Sequence, residues 1–238
     1  MKLTITRSLA AFLTSCTLLS SGCAGSYTPI KPDRIATYQS SPVKAPVQLD
    51  YQFDALRLRG RNKKYVKKEL KHGYHVVAVR VTNTTGAEIN FSRDVTLYYG
   101  DRPVVPVAGG LAAHDMKQGV AIYLLYVLLN PTLTRTSSTN GYVTNQESNT
   151  YYIGPFIAGG NMLGASMANS NFRRELEQYD LTNRSIRPGE TVYGLVCLRE
   201  ANVAPLRLEL RSVAANSTPV APFPAALPPA SAPRPTTN

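Results

Sequence analysis

Tryptophan is absent from the 238-residue chain, and histidine and cysteine occur only three times each. Without Trp there can be no Cys-Trp-Cys signature of antibody-type domains. His72, His75 and His114 are too few and too scattered for catalytic zinc, which needs three protein ligands converging on one point. With a strand starting at Tyr74, His72 lies before it and His75 on it, so the histidines read as exposed strand-end residues. A metal-binding protein or enzyme built on them is the lesser alternative. No G-x-S-x-G or S-x-x-K motif presents a serine nucleophile. Gly109-Gly110 and Gly159-Gly160 lack the Lys and Ser or Thr that complete a phosphate-binding loop. Paired carboxylates are equally scarce, since Glu175 and Glu177 lie two apart on a helix and face different ways. No catalytic group, cofactor or metal is expected, and the chain reads as non-enzymatic.

Acidic residues are also few. Fifteen Asp and Glu against 26 Lys and Arg give a formal charge of +11 and a pI near 9.7. Such an excess calls for an anionic neighbour, which in a cytoplasmic protein would first be nucleic acid. The N-terminus points elsewhere. Lys2 and Arg7 precede an apolar run from Leu9 to Leu19, and small Ser21 and Gly22 lead into Cys23, the layout of a cleaved export signal.

This stretch resembles the lipobox of bacterial lipoproteins, in which a signal peptidase cuts just before a cysteine that then carries diacylglycerol. Ser20 stands where that family usually has Leu, with Leu19 one step early. Leu13-Thr14-Ser15-Cys16 matches better locally but leaves too short an apolar core before it. The resemblance implies a signal peptide at 1–22, lipid attachment at Cys23, and anchoring in the bacterial envelope, at the outer membrane. Removal of Lys2 and Arg7 leaves a mature charge of +9. That charge would face anionic lipid, lipid A or acidic polysaccharide, and not nucleic acid. Cys197 then stands alone in an apolar run as a small buried hydrophobe, so no intramolecular disulfide is expected.

Residues 23–46, with Pro29, Pro32, Pro42 and Pro46, read as a tether that lifts the domain off the bilayer. Alternation begins with Val47, Leu49, Tyr51 and Phe53 against Gln48, Asp50, Gln52 and Asp54, the period-two mark of a half-buried strand. Candidate strands follow at 47–57, 74–83, 87–91, 95–99, 103–107, 190–199 and 205–212. The best is Tyr74 to Asn83, rich in β-branched residues. The pattern predicts a mainly β domain over 47–213, an antiparallel sandwich similar to the immunoglobulin-like folds. The Pro- and Ala-rich tail at 214–238 is expected to be disordered.

Two stretches stand out from this frame. Arg57, Arg59, Arg61, Lys63, Lys64, Lys67, Lys68 and Lys71 form the most charged segment. It reads as a solvated connection of a helical turn or two that can bind an anionic surface, each cation adding on the order of 1 kcal/mol. Residues 108–181 have no alternation and are too long for a plain loop, so they are expected to be a helical insertion. Its run from Gly119 to Leu129 is apolar all round, which predicts burial on every side. Thr134 to Thr150 reads as a flexible connector. Tyr151 to Ala168 carries Gly160, Gly164 and Ala168 at every fourth position, a flat face for close helix packing or homo-oligomerisation. A further helix is expected from a cap at Asn169 or Ser170. The alternative to an inward-folded hairpin is that 119–168 inserts in the bilayer of an oligomeric envelope component.

Overall fold

The computed structural model describes residues 24–43 and 45–211; the stretch expected to be an export signal, with Cys16, the expected lipid-attachment residue Cys23, and the tail beyond 211 lie outside them. The described chain is sheet-rich, with several antiparallel sheets and few helices, but helix (33%) matches strand (32%), so β structure dominates less than the alternation predicts. The strands are β1 (Gln39–Ser40), β2 (Val47–Gln52), β3 (Tyr74–Asn83), β4 (Ile89–Asn90), β5 (Val95–Tyr99), β6 (Arg102–Val104), β7 (Thr132–Thr139), β8 (Tyr142–Thr150), β9 (Ser185–Ile186), β10 (Thr191–Arg199) and β11 (Leu206–Leu210). Three longer helices are α1 (Lys63–His72), α2 (Gly109–Met116) and α3 (Gly154–Gln178).

β3 organises the molecule. It lies inside a four-stranded sheet ordered β1-β2-β3-β10, paired to β10 from Thr82↔Thr191 to Tyr74↔Arg199 and to β2 from Asn83↔Val47 to Ala78↔Gln52. A second sheet runs β11-β5-β6. Val77, Val79 and Val81 of β3 join Leu49 and Tyr51 of β2, Leu97 of β5 and Leu208 of β11 in one apolar core. The opposite face of β3, Val76 and Ala78, joins Leu195 and Cys197 of β10 in a second core. Tyr65 of α1, Met116 of α2 and Phe172 and Leu176 of α3 close that second core. Alternate residues of one strand therefore serve two cores, which is why β3 is apolar with little interruption.

Several of the other strands are shorter than their sequence pattern suggests. β2 stops at Gln52 because Asp54 is left-handed (φ 54°) and Ala55–Arg57 turns as a 3-10 helix. The Asn90 side chain accepts from the Ser92 and Arg93 amides, starting a helical turn at Phe91–Asp94 where the strand was expected to end. The basic connection is a ten-residue helix of nearly three turns, ended by Gly73 at φ 66° with its N–H on the last carbonyls.

Four expectations about the insertion and tether fail. Residues 24–31 are not a loose tether but a strap laid across the helices, with Ile30 fully buried. The run 119–129 is not enclosed: Ala121–Leu128 is a 3-10 segment in which Tyr123 is buried while Ile122, Leu124, Leu125 and Leu128 are exposed. Thr134–Thr150 is mostly β-structure, the β7–β8 hairpin, turning at Asn140-Gly141 with both residues at positive φ. α3 runs unbroken through Asn169 and Ser170, so no cap forms there; the Asn169 side chain instead bonds both backbone groups of Gln118. Among the described residues no helix is long and apolar enough to cross a membrane.

Candidate functional site

The strap begins where the described chain begins. Ala24 N–H donates to Asn161 Oδ1 of α3 (2.6 Å), and Gly25 exchanges two bonds with the Gln118 side chain (3.0 and 2.7 Å). Thr28 exchanges two with the buried side chain of Asn62 (2.8 and 2.9 Å). Two residues further on, Ile30 and Lys31 N–H donate to the Glu175 carboxylate (3.0 and 2.8 Å), which also accepts from Tyr27 Oη. The Tyr27 ring packs against Tyr65 and Phe172 at centroid distances of 5.3 and 5.2 Å. Burial, then the neighbouring Glu175 charge, push the Tyr27 phenol well above its ordinary range, so it stays a donor. An extended segment lacking sheet partners thus has its backbone groups met by side chains, which is what lets it lie on the surface in one conformation.

Sequence spacing presents Glu175 only as one of two divergent carboxylates. It does diverge from Glu177, which is exposed and paired with Arg173 (2.7 Å). The available signal was its register: Glu175 falls on the inward stripe with Ala165, Ala168 and Phe172, where a carboxylate must have donors.

The eight basic residues do not form one patch. Arg57 lies 3.7 Å from Asp54, and Arg59 Nε reaches the Ile30 carbonyl (3.4 Å). Arg61 is exposed. On α1, Lys63 and Lys67 line a shallow apolar groove with Leu56, Val66 and Leu70. On the other side Lys64, Lys67, Lys68 and Lys71 line a groove with Gln118, Gly119, Ile122 and Tyr123, and Lys64 Nζ bonds Tyr123 Oη (2.8 Å). Beneath both, Glu69 is buried with its carboxylate on the Val76 amide of β3 (2.7 Å), and burial raises it to about 7. One acid therefore ties the basic helix to the central strand.

Of the small residues on α3 at 160, 164 and 168, only Ala168 is buried; Gly160 and Gly164 are exposed, and nothing lies within 4 Å of where a Gly160 side chain would begin. The inward stripe is Gly154, Ala158, Ala165 and Ala168 instead. At Gly154 a side chain would meet the carbonyls of Tyr126 and Val127 at 2.4 and 2.5 Å, so this glycine admits the 3-10 segment. The solvent side of α3 carries a second stripe, Ile153, Phe156, Leu163 and Met167, all exposed, Phe156 to 83%. With Ile122, Leu124, Leu125 and Leu128 it gives the insertion an unusually apolar exterior.

The histidines are dispersed. His72 is in the last turn of α1, His75 packs edge-on to Phe53, and His114 on α2 lies 3.5 Å from Asp115. A Tyr74 hydrogen bond, and then His114, hold the Asp115 carboxyl below its usual range. Among the described residues no three His, Cys, Asp or Glu side chains are grouped to hold a metal ion. Cys197 is buried between the sheet and helices, and burial pushes its thiol far up. A cavity of about 240 Å³ lies among Phe91, Leu97, Val104, Pro106 and Leu181. Its acid, Asp180, is already held by the Gly109 and Thr182 amides. No family model, curated protein or solved structure matches the chain.

Proposed function

We propose that the chain is a lipid-anchored, non-enzymatic lipoprotein of the bacterial envelope, acting as a binding or structural module at the outer membrane. Acyl chains at Cys23 anchor it, and its two apolar-cored sheets form an immunoglobulin-like sandwich that carries the basic helix α1 and the insertion. The observation that carries this reading is the boundary at Cys23. Everything before it has the layout of an export signal, while Ala24, the next residue, is already bonded to α3 and belongs to the fold. Stable anchoring by this route takes two acyl chains or more. The test is metabolic palmitate labelling with mass analysis of the mature N-terminus. Label on Cys23, lost in Cys23→Ser, supports the reading; an unmodified N-terminus or label on Cys16 sinks it.

A second reading, an oligomeric envelope component, is favoured by the exposed apolar surface of 121–167. In that case this surface packs against other copies, and detergent-free protein would sediment as a defined oligomer that Phe156→Ser disrupts.

A further inference from the structure

The strap changes what an anchor at Cys23 would do. A flexible tether leaves a domain free to tumble above the bilayer, but here Ala24, next to that cysteine in sequence, is already bonded to α3. Cys23 is joined to Ala24 by a single peptide bond. Ala24 is bonded to Asn161 and lies against Gly164 of α3, and Gly25 is pressed on the Lys64 side chain, where an added Cβ would come within 2.9 Å. Gln118, which grips Gly25, also lines the lysine groove of α1. Ala24 and Gly25 therefore lie between Lys64 of the lysine groove and Gly164 of α3.

Resting on the lipoprotein reading, we propose that this face is a bilayer-docking surface. Lys67, Lys68 and Lys71 meet anionic phospholipid headgroups, and Ile122, Phe156 and Leu163 enter the interfacial layer beneath them. Three features select a lipid surface over other occupants. Ala24, the residue that follows the anchor position in sequence, lies at this face. The lysine groove has no acidic residue in its lining, so its charge complements anionic headgroups. The apolar residues are exposed by 60, 83 and 64% respectively, and short apolar segments flanked by lysines suit the headgroup boundary, where ammonium groups stay wet while their neighbours are buried. The anchor and the face then act together: the acyl chains hold the domain at the membrane, and the face sets its orientation, with the second sheet turned to the aqueous side.

The experiment uses the full acylated chain in phosphatidylcholine vesicles with and without phosphatidylglycerol, carrying an environment-sensitive fluorophore. The label is placed through Phe156→Cys or Ile122→Cys, with Val105→Cys and Val203→Cys as controls on exposed positions of the other side. With phosphatidylglycerol present, labels at 156 and 122 should shift to the blue and be quenched by nitroxide lipids, while the controls stay open to an aqueous quencher. Combining Lys67→Gln, Lys68→Gln and Lys71→Gln should lower the docked-to-undocked ratio roughly a hundredfold, about fivefold per charge. Labels at 156 and 122 that remain aqueous on protein with acylated Cys23 overturn the docking surface and leave the anchor reading intact. Labels shielded from water but untouched by lipid quenchers assign the face to another protein copy and overturn it too. If Cys23 is unmodified yet both labels are quenched by lipid, the docking surface stands and the anchor reading falls. Unmodified Cys23 with aqueous labels removes both.

Discussion

Replacing Glu69 by Gln tests how α1 is seated. Glu69 is buried, accepts from the Val76 amide of β3 and, through desolvation chiefly, titrates near 7, with Asp54 raising it further and Arg57 opposing. In the unfolded chain its pKa falls back to about 4.5. The folded state thus binds this proton more tightly. Its contribution is fully present below about 4.5 and is lost as pH rises through 7. Between pH 8 and pH 5 the difference amounts to about 2 to 3 kcal/mol, from roughly 1.4 kcal/mol for each pKa unit. The carboxamide introduced by Glu69→Gln keeps an acceptor for Val76 and has no proton to exchange. Urea unfolding of both proteins from pH 5 to 8 should therefore show the natural chain losing about 2 to 3 kcal/mol relative to Glu69→Gln as pH rises. A flat difference would mean that Glu69 is hydrated in the folded state. A difference of opposite sign would mean that the surrounding lysines and Arg57 stabilise the anion more than burial opposes it, and either result refutes the seating described.

Glu175→Ala removes the acceptor shared by Tyr27, Ile30 and Lys31. It should cost about 3 kcal/mol and accelerate amide exchange at Ile30 and Lys31 while β3 stays protected; unchanged exchange there would show that the strap is held without it. Replacing the β7–β8 hairpin, residues 132–150, by a short Gly-Ser turn should leave thermal stability within about 0.5 kcal/mol, because β7 is exposed along its whole length. A larger loss would place the hairpin in the fold's cooperative unit.

What could be read along the chain was whatever depends on local pattern. β-branched, nearly unbroken apolar runs placed β3 to the residue and β10 to within one residue, and alternation placed β5 to the residue, since both patterns are written into neighbouring positions. The layout of an export signal and the excess of cations are likewise properties of the sequence alone. Tertiary structure decided the rest. Residues 24–31 have the composition of a linker, and only the arrival of Asn62, Gln118, Asn161 and Glu175 from distant positions satisfies their backbone and turns them into a strap. An apolar run such as Gly119–Leu129 does not reveal which sides its neighbours cover; here the 3-10 geometry and one contact face on α3 leave most of it in the open. Small residues at every fourth position suggested a packing face, yet the buried side of α3 was chosen by what stands opposite it, Tyr126 and Val127 against Gly154. Spacing can be read from one segment, but burial belongs to pairs of segments, and the second member of each pair lay tens of residues away.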